Sequence, residues 1–483
     1  MSTRQTAISS AAALHVGWLL LVTAPTCHGE PLSRCNDFND AAVTWAAVRA
    51  GSDQPLPLYS LEPRVLLPDG TEFKTWEQPA EHQRTFCVAQ KDPKSSVFEL
   101  TTRELAFAPE KAGLGFIRVA GFTVEYVASV FPIPRRGAIS TRQGHHWIIE
   151  NNAVRQVNSL GIDCGRRISF IPYVEPEDTP KLAGAGNIVR RNALIDCGIC
   201  GLSGMGLVGC LLEDNYFSGC GWHNVEGWYA NGGIKVLWTK YILVRRNVVH
   251  GTIGAPGIWM DHSNVNCRLT QNIVTGVRSG VGGVFLEATY RPVMFDHNVI
   301  WGCAGNGFYQ HNCSDLAVVN NLIGSCSQAP VYMSPDSGTR EVDIETNRMS
   351  VAVRNFVCGN VFYGFGERGP VMPGGNLSDY NLFVNAPGEK AIDLAAWRRN
   401  TGLEKNSAAF QSSMEFLLED GATLRQLPLL PDFKCPRIFE MTTDYFGTPL
   451  PAYGYTQGGL FLATNQKSEL RLLRNPLPVE GVP

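Results

Sequence analysis

The chain is short of charge. Lys, Arg, Asp and Glu together make up 18% of its 483 residues, and the formal net charge is −3. No run of Lys or Arg stands out, so the electrostatic footprint of a nucleic-acid binder is missing and no such partner is expected. Long apolar runs are also missing. No segment has 18 consecutive apolar residues, the length a spanning helix needs. The one apolar stretch, roughly Ala11 to Ala24, is shorter, is preceded by Arg4 and runs into TAPTCHGE. That pattern reads as a secretory signal over residues 1–29 with cleavage after Gly29, giving a secreted or periplasmic protein with no membrane association afterwards. Metal-ligand spacing is nearly absent. Cys197 and Cys200 form C-x-x-C, but no second pair follows, so neither a metal nor a cofactor is expected. No 3.6-residue apolar period recurs, which argues against a helical repeat. Of 14 Cys, 13 would remain after cleavage, an odd count that disulfides alone do not absorb.

What is present is glycine (49 residues), aromatic side chains (10%) and a repeat. A polar pair ending in Asn is followed by three or four apolar residues and then often Gly or Cys. It recurs at Asn152, Asn192, Asn215, Asn247, Asn272, Asn298, Asn321 and Asn360, with spacings of 40, 23, 32, 25, 26, 23 and 39. A period near 24 with insertions is what the coils of a solenoid give. The expected fold is all-β: a parallel β-helix whose coils each hold a few short strands, with the Asn amides stacked at a turn. Cys197, Cys220, Cys303 and Cys326 each follow a repeat Asn by five residues. In register they stack as small buried thiols rather than as disulfides. The chain divides into the signal (1–29), an N-terminal segment with strand-like pieces such as SVFELTT (30–111), the solenoid (112–365) and a C-terminal cap (366–483). In the cap, NLSDYNLFV reads as a last strand, DLAAWRRNTG as a short helix and ELRLLRNPLPVEGVP as a tail.

A second repeat, GIKVL (233–237), GIWMD (257–261), GVFLE (283–287) and GFYQH (307–311), starts at glycines spaced 24, 26 and 24 apart. Side chains alternate across a strand. Ile234, Val236, Ile258, Met260, Val284, Leu286, Phe308 and Gln310 then face inward. Lys235, Leu237, Trp259, Asp261, Phe285, Glu287, Tyr309 and His311 face out. Aromatic rings beside carboxylates suit a sugar groove, with sugar C–H faces on the rings and carboxylates at the scissile bond. Asp261 and Glu287 fall on adjacent strands about 5 Å apart, the separation of a retaining glycosidase's two acids. Carboxylates that close disfavour joint ionisation, so one pKa should rise. The plainer alternative makes them surface acids paired with Lys235, Arg268 or Arg291. Candidate substrate contacts are Lys235, Trp259, His262, Asn264, Phe285, Tyr290, Arg291, Tyr309 and His311. Glu226, in the insertion GWHNVEGWYANGG with Trp222, His223 and Trp228, is placed to wall the groove.

Three blocks, GLGFIRVAGFTVEYVASVFP, HHWIIENNAVRQVNSLGIDCG and GGIKVLW followed by GIWMDHSNVNCRLTQN and GGVFLEATYRPVMFDHNVIWG, resemble the right-handed β-helix β-xylosidases of glycoside hydrolase family 120. DLAAWRRNTGLEKNS and DYFGTPLP extend the resemblance over roughly residues 85–450. It implies a right-handed helix, a nucleophile at Asp261 and an acid/base at Glu287, the pair reached by stacking. The chain carries Leu237 and His262 where the family usually has His and Trp. The leading expectation is a retaining glycoside hydrolase on oligo- or polysaccharide. Two others stand beside it: a polysaccharide lyase with Lys235 as base, and a non-catalytic carbohydrate-binding β-helix.

Overall fold

The computed structural model describes residues 105–127, 136–166, 179–222, 231–289, 291–334, 352–419, 421–438, 441–452, 454–460 and 468–473, and the backbone of three strands at 65–66, 72–77 and 85–88. The signal, SVFELTT, Glu226 and Tyr290 lie outside the described residues.

The chain winds into a right-handed parallel β-helix with three sheets. Sheet I has ten strands, from Arg118–Ala120 to Leu377–Asp379. Sheet II has eleven, from Thr123–Glu125 to Ala408–Gln411. Sheet III has eight, from Gly137–Ser140 to Val331–Ser334. All pair in parallel, one coil to the next. Their inward side chains form a single apolar core containing Ile234, Met260, Phe295, Phe308 and Phe362.

The turn from sheet I to sheet II shows how local chemistry fixes the coil. The residue before each repeat Asn takes a left-handed conformation: Arg191, Asp214, Arg246, Gln271 and His297 have φ of 51° to 58°. Such a φ costs an L-residue energy, so something must hold it. The following Asn does. Each Asn Nδ2 donates to the next rung's Oδ1 at 2.9–3.1 Å, from Asn152 through Asn192, Asn215, Asn247, Asn272, Asn298, Asn321 and Asn360 to Asn381. The same Oδ1 also accepts the preceding rung's Asn backbone N–H. Every buried amide of the ladder is thereby satisfied. The final amide, Asn381 Nδ2, donates to the buried Glu404 carboxylate at 3.1 Å, which also accepts from the Ser378 and Ser407 hydroxyls.

Asn381 corrects the boundary drawn at residue 365. Parallel pairing runs on through Leu377–Asp379, Leu382–Asn385 and Ala408–Gln411. NLSDYNLFV thus supplies two strands around a turn. DLAAWRRNTG contains the helix Leu394–Thr401, capped by Asp393 and by Gly402 in the left-handed region. Trp397 and Ile392 close the core at this end. The expected tail is corrected in part: Glu469–Arg471 is a strand, antiparallel to Thr423–Leu427, which pairs with Ser413–Leu417. This small sheet lies on the outside of sheet II, packing Met414, Leu424 and Leu470 on Val299, Leu322 and Val361. The hairpin Lys434–Pro436 with Tyr455–Gln457 covers sheet I around Val319 and Cys358.

Eleven described cysteines are buried free thiols. Cys197 and Cys220 lie on neighbouring coils, as do Cys303 and Cys326, and Cys220, Cys303 and Cys326 donate to backbone carbonyls, so the expected thiol ladder is two pairs.

Candidate active site on the outer face of sheet III

Sheet III carries the Gly-led repeat in register. Lys235 pairs with Trp259, Trp259 with Phe285, Phe285 with Tyr309 and Tyr309 with Tyr332. Going the other way, Ser140, Asp163 and Ser203 precede Lys235 in the same outward row. A second outward row runs Met205, Leu237, Asp261, then Glu287, His311 and Ser334. Met260 pairs with Leu286, which sets Asp261 beside Glu287. The inward set is fully buried, Gln310 included.

Both Asp261 oxygens are engaged. Lys235 Nζ donates to Oδ2 at 2.7 Å, and His262 Nδ1 hydrogen-bonds Oδ1. Burial works to raise this carboxyl's pKa, but the Lys235 charge and the His262 contact outweigh it and hold Asp261 well below the usual carboxylate range. The expected rise of one pKa is therefore not at Asp261. Glu287 faces His311, whose Nδ1 lies 3.6 Å from Oε1. The side chains of Asp261, Glu287 and His311 are 12%, 17% and 18% exposed, so the pair is sheltered yet reachable.

Three expectations need correcting. The aromatic rings do not offer their faces to a ligand. Lys235 Nζ sits 2.8 Å from the Trp259 ring centre. Trp259 and Phe285 are 5.3 Å apart, Phe285 and Tyr309 4.8 Å, Tyr309 and Tyr332 5.5 Å, with planes tilted by about 30°. Side chains in register at the coil spacing stack on one another, so the faces of Trp259, Phe285 and Tyr309 are taken up by their neighbours in the stack. Asn264 is fully buried. It accepts from Thr239 Oγ1 at 2.7 Å and donates to Thr289 Oγ1 and the Asp261 carbonyl, so it is a turn residue with its amide spent. Lys235 and His262 touch Asp261 first and are placed to orient it. Arg268 is committed elsewhere, to Asp296. Arg291 is half-buried at the turn into the strand Val293–Asp296.

Two residues of this face went unread in the sequence. Tyr332 extends the ring stack by one coil. Asp163 adds a third carboxylate, bound by Ser140 Oγ at 2.8 Å and pushed up to about 6 by burial. Aligning GAIS, LGID and GLS with GIK would have found it. Among the described residues no group of three or more His, Cys, Asp or Glu is gathered for a metal ion.

Fold and face together define the class: a right-handed parallel β-helix with an acidic pair on one outer sheet. The sequence profile of the right handed beta helix region matches residues 137–323. Among solved structures, the complex of XylC with xylose superposes with a TM-score of 0.56 at 17% identity, covering 80% of this chain and 71% of that one. A double mutant of the periplasmic alginate epimerase AlgG gives a TM-score of 0.35 at 13% identity, covering 62% and 68%. The tailspike of E. coli bacteriophage HK620 with a pentasaccharide gives 0.36 at 12% identity, covering 62% and 60%. No curated protein matches the chain significantly. The likeness to XylC shows the fold, a right-handed parallel β-helix.

Proposed function

We propose that the protein is a retaining glycoside hydrolase, with Asp261 as nucleophile and Glu287 as general acid and base. The observation that carries this is the unequal treatment of two neighbouring carboxylates. Asp261 is kept ionised by Lys235 and His262, while Glu287 sits one coil on with His311 as its neighbour. Groups whose environments differ in this way divide the roles of nucleophile and acid. Ionised Asp261 attacks the anomeric carbon as Glu287 gives its proton to the leaving oxygen. Glu287 then takes a proton from water, which releases the sugar from Asp261. The xylose held by XylC makes pentosides the first substrates to try.

The lyase reading needs Lys235 as a neutral base. Its contact with an ionised carboxylate favours the charged ammonium, which weighs against that reading. The non-catalytic reading needs open ring faces, and the stack closes them.

The test is release of nitrophenol from aryl glycosides, xyloside first, by wild type and Glu287→Ala. Loss of activity in the variant, with azide restoring turnover and forming a glycosyl azide of retained configuration, supports the assignment. Equal activity in the two proteins, or an unsaturated uronate product from a polysaccharide, overturns it.

A further inference from the structure

The chain contains a third thiol pair unlike the two in the core. Cys358 ends the sheet I strand Phe356–Cys358 and points outward, while Cys435 lies in the covering strand Lys434–Pro436. The two thiols lie together in a small apolar cluster with Val319 and Met441. Cys435 Sγ also donates to Asn320 Oδ1 at 3.4 Å. The backbone has made room for this sulfur. Gly359 holds the left-handed turn position that carries Asn, Arg, Asp, Gln, His or Tyr in other coils, with φ of 69°. A Cβ there would lie 2.7 Å from Cys435 Sγ and 3.2 Å from its Cβ. The Gly359 carbonyl also accepts the Gly459 N–H at 2.6 Å, tying the same hairpin to the same turn.

We propose that Cys358 and Cys435 are a disulfide-forming clasp that fastens the C-terminal wrap to the solenoid. The core pairs Cys197/Cys220 and Cys303/Cys326 join neighbouring coils 23 residues apart, and reaching them means opening the solenoid. The clasp joins residues 77 apart in sequence and is reached by lifting one hairpin. A longer closed loop removes more freedom from the unfolded chain, so the third pair gains most from a bond. The oxidant is a small-molecule disulfide. One cysteine thiolate attacks an oxidant sulfur and expels one thiol. The second cysteine attacks the mixed disulfide and expels the other. Two protein S–H bonds are lost, one S–S bond forms, and the oxidant is reduced to two thiols.

The test is to refold the full chain with oxidised glutathione, block remaining thiols under denaturing conditions, digest without reductant and sequence the peptides by mass spectrometry. The expected result is a linked Cys358–Cys435 peptide, with Cys197, Cys220, Cys303 and Cys326 alkylated. Oxidised wild type should then release its C-terminal segment to thermolysin at least about 10-fold more slowly than reduced wild type. Cys435→Ser, shown folded by its β-sheet circular dichroism, should show no such redox dependence. Both cysteines recovered alkylated, either one linked to a different cysteine, or identical proteolysis of oxidised and reduced wild type would overturn the clasp.

Discussion

Sheet I and sheet III display the same kinds of side chain outward and use them in opposite ways. On sheet I the buried acids each have their own cations. Glu150 takes Arg118, Arg190 and Arg191. Glu213 takes Arg245 and Arg246. Asp296 takes Arg268, and with hydrogen bonds to Thr270 and the His297 ring its carboxylate is satisfied. Opposite charges are matched from coil to coil, as in a cross-strand pair. On sheet III that alternation breaks: Asp261, with one lysine, is followed by a second acid, and Asp163 lies among serines. The residue types alone do not mark a site. What the proposed site rests on is the contrast between matched charges on sheet I and two neighbouring acids on sheet III, because like charges set side by side cost stability.

The widest separation should come from cutting one acid on each sheet. Glu287→Ala is expected to lower kcat by roughly 10³-fold while keeping or raising the urea midpoint, and Glu150→Ala to lower the midpoint while keeping kcat. A Glu287→Ala protein that loses stability and keeps activity would make sheet III another structural face.

Asp296→Ala comes next. It removes a fully buried carboxylate from Arg268, Thr270 and His297, and a cost of about 3 kcal/mol is expected in urea unfolding. The pH dependence follows with its sign. Burial works to raise the Asp296 pKa, but Arg268 and His297 bring it down to about 2. Its stabilisation, about 2–3 kcal/mol, is then present above the unfolded value near 4 and is lost as pH falls through 2. Asp296→Ala should therefore lose to wild type at pH 7 and draw level near pH 2.

Lys235→Met tests the sheet III arrangement by a smaller effect. Without the ammonium, burial raises the Asp261 pKa, and the acid limb of the kcat/KM profile should move to higher pH. An unmoved limb would mean that Lys235 does not set the ionisation of Asp261.

The smallest effect is a gain. Burial raises Asp163 to about 6, so its ionisation destabilises the fold as pH rises from about 4 to 6. Because the residue is partly exposed, Asp163→Asn should stabilise by only about 1 kcal/mol at pH 7 and be neutral at pH 4, read by thermal melts.

Much of the fold is legible because a solenoid repeats its constraints. The spacing of Asn152 through Asn360 sets the coil period, and alternation in GIKVL and GIWMD separates core from face. Alternation tells which side a residue takes and nothing about what meets it there. That is why the stacking of Trp259, Phe285 and Tyr309 escapes it, and why Asn264 reads as a groove residue. The rung at Asn381 is hidden by the insertion-free spacing of 21 from Asn360, shorter than the other intervals. The charge columns of sheet I are hidden because Glu150, Arg190 and Glu213 become neighbours only once insertions have looped out.

The asparagine ladder is a sentence with a first word and a full stop. Every amide points the same way, from Asn152 toward Asn381, and the last hydrogens meet Glu404, a group that only accepts. A chain of donors all facing one way can be lengthened wherever an Asn follows an Asn, since each new rung takes one bond and passes one on. It cannot be lengthened beyond Glu404, which has nothing to hand forward. A rung added within the ladder therefore leaves no amide without a partner, while a rung placed beyond Glu404 would find no donor waiting for it.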